Sequence, residues 1–474
     1  MRYESLPSGL IALSILCAND ALAAVAPHAV RASELHIPLM RRAPTQRTDA
    51  EWGLWAKHQR AILAAKYSGA SPARKRASGY NLIVNENADS SYYGSLAVGT
   101  PPVAYSVILD TGSSDLWLAG SSCTSGCDGI TTFASTSSSS FQNKTQAFSI
   151  TYGSGKASGV LGQDVVQMAG FEVNNQIFGV CDTVSSGLLN APVAGLMGLA
   201  WQSIAASGAT PFWQTLYQGS VLDQPLMAFQ LTRFQNVSNA QVLEPGGTFT
   251  LGNVNSSLYT GDIDYQNVPS NAVAYWTLPL TALAVNGNAL TLPSGSGAYA
   301  AIDTGTTLVG GPADQISALF AQIPGSAPGS GNYQGYYTYP CTTNVTVTLA
   351  FGGQTWAIAP EDFALTKLAS GACLGAFFEF QSAASAAPAW IVGDTFLKNV
   401  YAVFRASPVS VGFAALSADA AAVAADGVPT ATVGAVSASV TGSGRSHANA
   451  GVQRRTGAQA RWVVGGVVLG LVML

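Results

Sequence analysis

Two aspartates, Asp110 and Asp303, stand in the same local sequence. Val107-Ile-Leu-Asp110-Thr-Gly-Ser-Ser-Asp-Leu-Trp117 leads an apolar run into Asp-Thr-Gly, and Tyr299-Ala-Ala-Ile-Asp303-Thr-Gly-Thr-Thr-Leu308 does the same 193 residues later. One Asp-Thr-Gly would be read as a turn. Each copy, however, has a companion of apolar residues and glycine: Ala194-Gly-Leu-Met-Gly-Leu199, and Trp390-Ile-Val-Gly-Asp394. Gly198 trails Asp110 by 88 residues and Gly393 trails Asp303 by 90, so the two halves are an internal duplication. Two strand-held carboxylates pressed together cannot both ionise cheaply, so they share a proton and titrate as a unit. The ionised member can take a proton from water while the protonated one polarises a carbonyl. The glycine of each motif lets the chain turn sharply, and the intervening threonine can brace one half against the other.

The elements that must hold these residues are strands. The 474 residues include 50 glycines and only 10% charged side chains, and from Tyr80 to about Ser417 short apolar runs alternate with Gly, Ser, Asn and Pro clusters. The expected class is all-β, in two lobes each with its own core. The four histidines, His28, His36, His58 and His447, all fall outside this body. Ser–His, Cys–His and His-rich metal chemistry are therefore excluded there, and neither a metal nor a cofactor is called for. Between Ala77 and Ser417 six basic residues meet 18 acidic ones, a formal charge of −12. That balance excludes a nucleic-acid partner and suits work at low pH.

The body resembles the pepsin family of aspartic endopeptidases, from Tyr93-Gly-Ser-Leu-Ala-Val-Gly-Thr-Pro-Pro102 to Gly412-Phe413. The resemblance implies a bilobal fold with an active-site cleft between the lobes, and cleavage of internal peptide bonds between apolar residues at acid pH. It makes Asp110 and Asp303 the catalytic pair, with Ser113 and Thr306 bonded to their outer oxygens. Ile150-Thr-Tyr152-Gly-Ser-Gly155 resembles the flap hairpin, steadied by Trp117 beneath Tyr152. Gly112, Gly305, Gly153 and Ser154 would contact substrate, and Phe212, Trp213 and Ile108 are either subsite walls or core. Asp394 is either a modulator of the pair or a structural carboxylate. Protein or peptide substrates, statine-type inhibitors and a monomeric state are the implied partners. A catalytically silent relative would be expected to lose a dyad Asp, its glycine or the flap tyrosine, and all are present. A paired-carboxylate glycosidase has no reason to carry Asp-Thr-Gly twice.

The flanks read as processing signals. Residues 1–23 have the layout of a secretory signal peptide, with Arg2, the apolar run Leu10–Cys17 and small residues Ala21, Ala23 and Ala24. Residues 24–76 form a basic propeptide ending at Arg74-Lys75-Arg76. The lobes are expected at 77–236 and 237–417, followed by a low-complexity stalk and spacer at 418–461 and a hydrophobic run at 462–474. That run is too short to span a bilayer of ~30 Å, and with Asn449-Ala450-Gly451 upstream it matches a lipid-anchor signal. The expected location is extracellular, at the plasma membrane or cell wall, with the lipid anchor as the sole membrane contact. Cys123 and Cys127 can close a small loop and Cys341 and Cys373 a longer one, the same two bridges that the resemblance implies; Cys181 is left as a buried thiol. Acceptor sequons begin at Asn143, Asn236, Asn255 and Asn344.

Overall fold

A computed structural model describes residues 76–440, apart from 236, 382–386, 422–427 and 432–437. The signal, nearly all of the propeptide, Asn236, and the spacer and hydrophobic run beyond 440 lie outside the described residues. The described residues all belong to one compact unit, Arg74–Leu474.

Strand chemistry dominates because β-branched and aromatic residues alternate between turn-forming clusters. The first half carries β1 (Gly79–Glu86), β2 (Ser91–Val98), β3 (Val103–Asp110), β4 (Leu116–Ala119), β5 (Gln142–Tyr152), β6 (Gly155–Met168), β7 (Phe171–Val184) and β8 (Val193–Gly198). Strand β3 runs parallel to β8, with Asp110 opposite Gly198, and β8 runs antiparallel to β4. The second half repeats this arrangement. Strand Tyr299–Ile302 is parallel to Trp390–Val392, which is antiparallel to Val309–Gly311. The duplication seen in sequence is therefore a duplication of topology, and its companion glycines have a steric reason. A Cβ on Gly198 would lie 2.4 Å from the Ser114 carbonyl carbon, and one on Gly393 would lie 2.0 Å from the Thr306 carbonyl oxygen. Only glycine lets the companion strand pass under the Asp-Thr-Gly turn.

A shared sheet joins the halves. From β1 it continues through β10 (Leu243–Leu251) and β9 (Leu226–Leu231) to the strands Val400–Ala406 and Val409–Leu416. Beneath it lie Phe229 and Phe249, with ring centroids 4.8 Å apart, and a trio of Trp201, Trp213 and Trp276. Each large apolar side chain buried this way contributes about 1.5–3 kcal/mol. Phe212 and Trp213 are fully within this core, so they are not subsite walls, whereas Ile108 is half-buried. Cys123–Cys127 and Cys341–Cys373 are bonded, and Cys181 is a free, fully buried thiol on β7. Asn143, Asn255 and Asn344 are exposed. Past Ser417 the segment expected as a stalk includes a helical turn, Ala418–Ala421, and a short strand, Ala438–Val440, parallel to the start of β7.

Candidate active site

Asp110 closes β3, and Asp303 follows directly on the strand Tyr299–Ile302. The two loops then turn into each other. A Cβ on Gly112 would meet the Asp303 carboxyl at 2.5 Å, and one on Gly305 would meet Asp110 Oδ1 at 2.3 Å. Each motif's glycine therefore leaves room for the other motif's carboxylate.

Around this contact the hydrogen bonds are nearly two-fold symmetric. Gly112 N–H donates to Asp110 Oδ1 at 2.7 Å, and Gly305 N–H donates to Asp303 Oδ1 at 2.8 Å. The hydroxyls of Ser113 and Thr306 donate to the Oδ2 atoms, at 2.5 and 2.7 Å. Thr111 and Thr304 cross between the halves. The Thr111 N–H donates to Thr304 Oγ1 at 3.1 Å and the Thr304 N–H to Thr111 Oγ1 at 2.9 Å. Their hydroxyls in turn reach the carbonyls of Ile302 and Leu109. Backbone amides thus hold both carboxylates in register, so geometry does not depend on long, rotatable side chains.

The carboxyls are 5% and 8% exposed. Burial, followed by the facing Asp303 carboxyl, pushes Asp110 well above the usual carboxylate range, although the Ser113 hydroxyl and Gly112 N–H pull the other way. The pair therefore retains a proton under conditions where an isolated aspartate would lose it.

The segment expected as a flap is the long hairpin β5–β6. Its closing pair is Tyr152 opposite Gly155, and Gly153 and Ser154 at the tip are exposed. Trp117 Nε1–H donates to the Tyr152 hydroxyl at 2.8 Å, with ring centroids 6.5 Å apart. Trp117 is fully buried on β4, so it is core and brace at once. The Tyr152 phenol is raised well above its ordinary value, first by burial and then by the Asp110 charge.

Sequence reasoning missed Tyr275. It is half-buried, and its phenol is raised first by burial and then by the charges of Asp303 and Asp110. No motif flags it; its neighbour Trp276 is locked among Trp201 and Trp213. Asp394 lies behind the second loop, 2% exposed, its carboxyl raised well above the usual range chiefly by burial. Among the described residues, Cys123, Cys127, Cys181, Cys341, Cys373, Asn143, Asn255 and Asn344 take no part in these contacts.

Residues 91–416, more than half of the chain, match the family model described as eukaryotic aspartyl protease. Among curated proteins, the major aspartyl peptidase 1 of Cryptococcus neoformans is 44% identical over 407 residues, 84% of this chain and 82% of that protein. An aspartic protease of Phaffia rhodozyma is 37% identical over 76% of this chain and 85% of its own length. Pepsin A of Sus scrofa is 34% identical over 69% and 82%.

Proposed function

The chain belongs to the eukaryotic aspartyl protease family, and from that premise we propose that Asp110 and Asp303 are the catalytic pair of this aspartic endopeptidase. The enzyme hydrolyses internal peptide bonds at acid pH. In the reaction the two carboxyls begin with one shared proton. The ionised member takes a proton from a water, whose oxygen attacks the scissile carbonyl carbon, and the protonated member gives its proton to the carbonyl oxygen. The tetrahedral diol collapses as the C–N bond breaks: the protonated carboxyl gives its proton to the departing nitrogen, the other carboxylate takes the proton of a diol hydroxyl, and the pair again holds one proton. Ser113 and Thr306 hold the Oδ2 atoms so that the Oδ1 atoms face the reacting centre. Tyr152, Gly153 and Ser154 close over an extended peptide, whose backbone pairs with the hairpin and with Gly112 and Gly305.

The observation that carries this reading is the reciprocal Thr111–Thr304 link, with each carboxyl packed against the opposite glycine. Replacing Asp110 or Asp303 by Asn should lower peptide turnover by roughly 10³-fold or more while the circular dichroism spectrum and statine-type inhibitor binding report an intact fold. Substantial turnover in either variant would overturn the assignment.

The same reading extends to processing. The enzyme is secreted as a monomer, matures near Ala77, and is tethered by a lipid attached near Asn449. Support comes from the basic stretch ending at Arg76 and the small-residue, spacer and apolar order of the last segment.

A further inference from the structure

A second cluster of charges lies away from the pair and is almost wholly buried. Lys398 Nζ sits 2.8 Å from Asp89 Oδ2 and 2.9 Å from Asp362 Oδ1, with its side chain 3% exposed. Asp89 also accepts the Phe234 N–H at 2.7 Å and the Asn85 side-chain amide at 2.6 Å. Asp362 is held in a fork by Arg233, and by the Asn399 amide at 2.8 Å. These cations hold Asp362 below the usual carboxylate range even though burial opposes them. The turn that delivers Asp89 is strained. Asn87, Ala88 and Asp89 are consecutive non-glycine residues at φ of 52°, 49° and 71°, a conformation that persists only where its surroundings enforce it.

Lys398 caps the helical turn Asp394–Leu397, with its N–H on the Asp394 carbonyl. The other end of that turn grips the loop after Asp303. The Gly393 N–H bonds the Leu308 carbonyl, Asp394 N–H bonds Thr306 and Thr395 N–H bonds Thr307, at 3.1, 2.8 and 2.8 Å. Thr306 is the residue whose hydroxyl rests on Asp303 Oδ2. A second thread runs from the strained turn itself, since the Thr307 hydroxyl donates to the Ser90 carbonyl at 2.8 Å.

We propose that Lys398 is a positioning residue for Asp303: clamped between Asp89 of the first half and Asp362 of the second, it fixes the Asp394–Leu397 turn and, through the Thr306–Leu308 carbonyls, the second carboxylate. The proposal rests on the assignment of Asp303 to the catalytic pair. Arg233 belongs to the same cluster but reaches the helical turn only through Asn399, whose amide bonds the Thr395 carbonyl at 3.0 Å, and it has no bond to Asp89 of the first half, so it is the control.

With enzyme concentrations set by statine-type inhibitor titration, Lys398→Met should lower kcat about tenfold, as expected for a displacement well under 1 Å. KM should stay within roughly twofold, because the peptide contacts are untouched. Lys398→Arg, which can still bridge two carboxylates, should restore most of the loss. Arg233→Met should lower the melting temperature while leaving kcat unchanged. If Lys398→Met alone does not fold, the pair Asp89→Asn with Lys398→Met removes both charges together and should show the same kcat loss. An unchanged kcat in the folded Lys398 variants, or an equal loss in Arg233→Met, overturns the proposal. Asp303→Asn is measured alongside: if it keeps its turnover, the pair assignment itself has failed and the proposal falls with it.

Discussion

The Ser113 hydroxyl on Asp110 makes the pH profile a direct probe of the pair. A hydrogen bond to a charged group is worth about 1.5–3 kcal/mol, and one pKa unit is about 1.4 kcal/mol. Ser113 stabilises the ionised form, so Ser113→Ala should move both limbs of the kcat/KM profile upward, by about one to two units. A profile that falls in amplitude without moving would mean the hydroxyl acts on something other than this charge. The two carboxylates were legible in sequence because their motif occurs twice, whereas their hydroxyl partners and Tyr152 came from the resemblance to a known family. Tyr275 and Lys398 were legible by neither route. Tyr275 is flanked by Trp276 of a tryptophan cluster that no motif marks, and Lys398 finds Asp89 across 309 residues, a separation that no local pattern encodes.

At the level of strands and turns, the four motif glycines divide into two kinds with opposite mutational signatures. Added Cβ atoms at Gly112 and Gly305 would press on a facing side-chain carboxyl, which can swing aside. Gly112→Ala should therefore fold, with kcat lowered by roughly 10²-fold and little change in melting temperature. At Gly198 and Gly393 the obstacle is backbone of the crossing turn, which cannot yield without breaking β3–β8 or its counterpart. Gly393→Ala should cost at least about 3 kcal/mol, read as a loss of soluble, cooperatively melting protein. Equal behaviour of the two variants in thermal melts would refute the distinction. The duplicated strands were readable from apolar runs and spacing. Their parallel pairing was not, because it joins segments nearly ninety residues apart, and Trp213 could be placed in the core only once Trp276 was seen beside it.

For the molecule as a whole, ionisation sets the range in which it survives. Asp110 and Asp394 are both raised by burial, so the folded state binds more protons than the unfolded chain. Their contribution is favourable at low pH and fades as pH rises from about 4, the unfolded value, through the raised folded ones. Asp362 is lowered and has the opposite sign: its contribution is present above about 4 and is lost as pH falls through its folded value. The body's formal charge of −12 adds self-repulsion toward neutrality. The melting temperature should thus peak in weak acid and fall toward pH 8, and Asp394→Asn should flatten that fall; a curve rising steadily to pH 8 would contradict it. The free Cys181 on β7 gives the protein a built-in clock for such losses. Its thiol is fully enclosed and pushed up to about 12 by burial, so an alkylating reagent can reach it only when β7 detaches from β4 and β6. Its modification rate under non-denaturing conditions therefore reports how often the first half opens spontaneously, with a native residue as the probe.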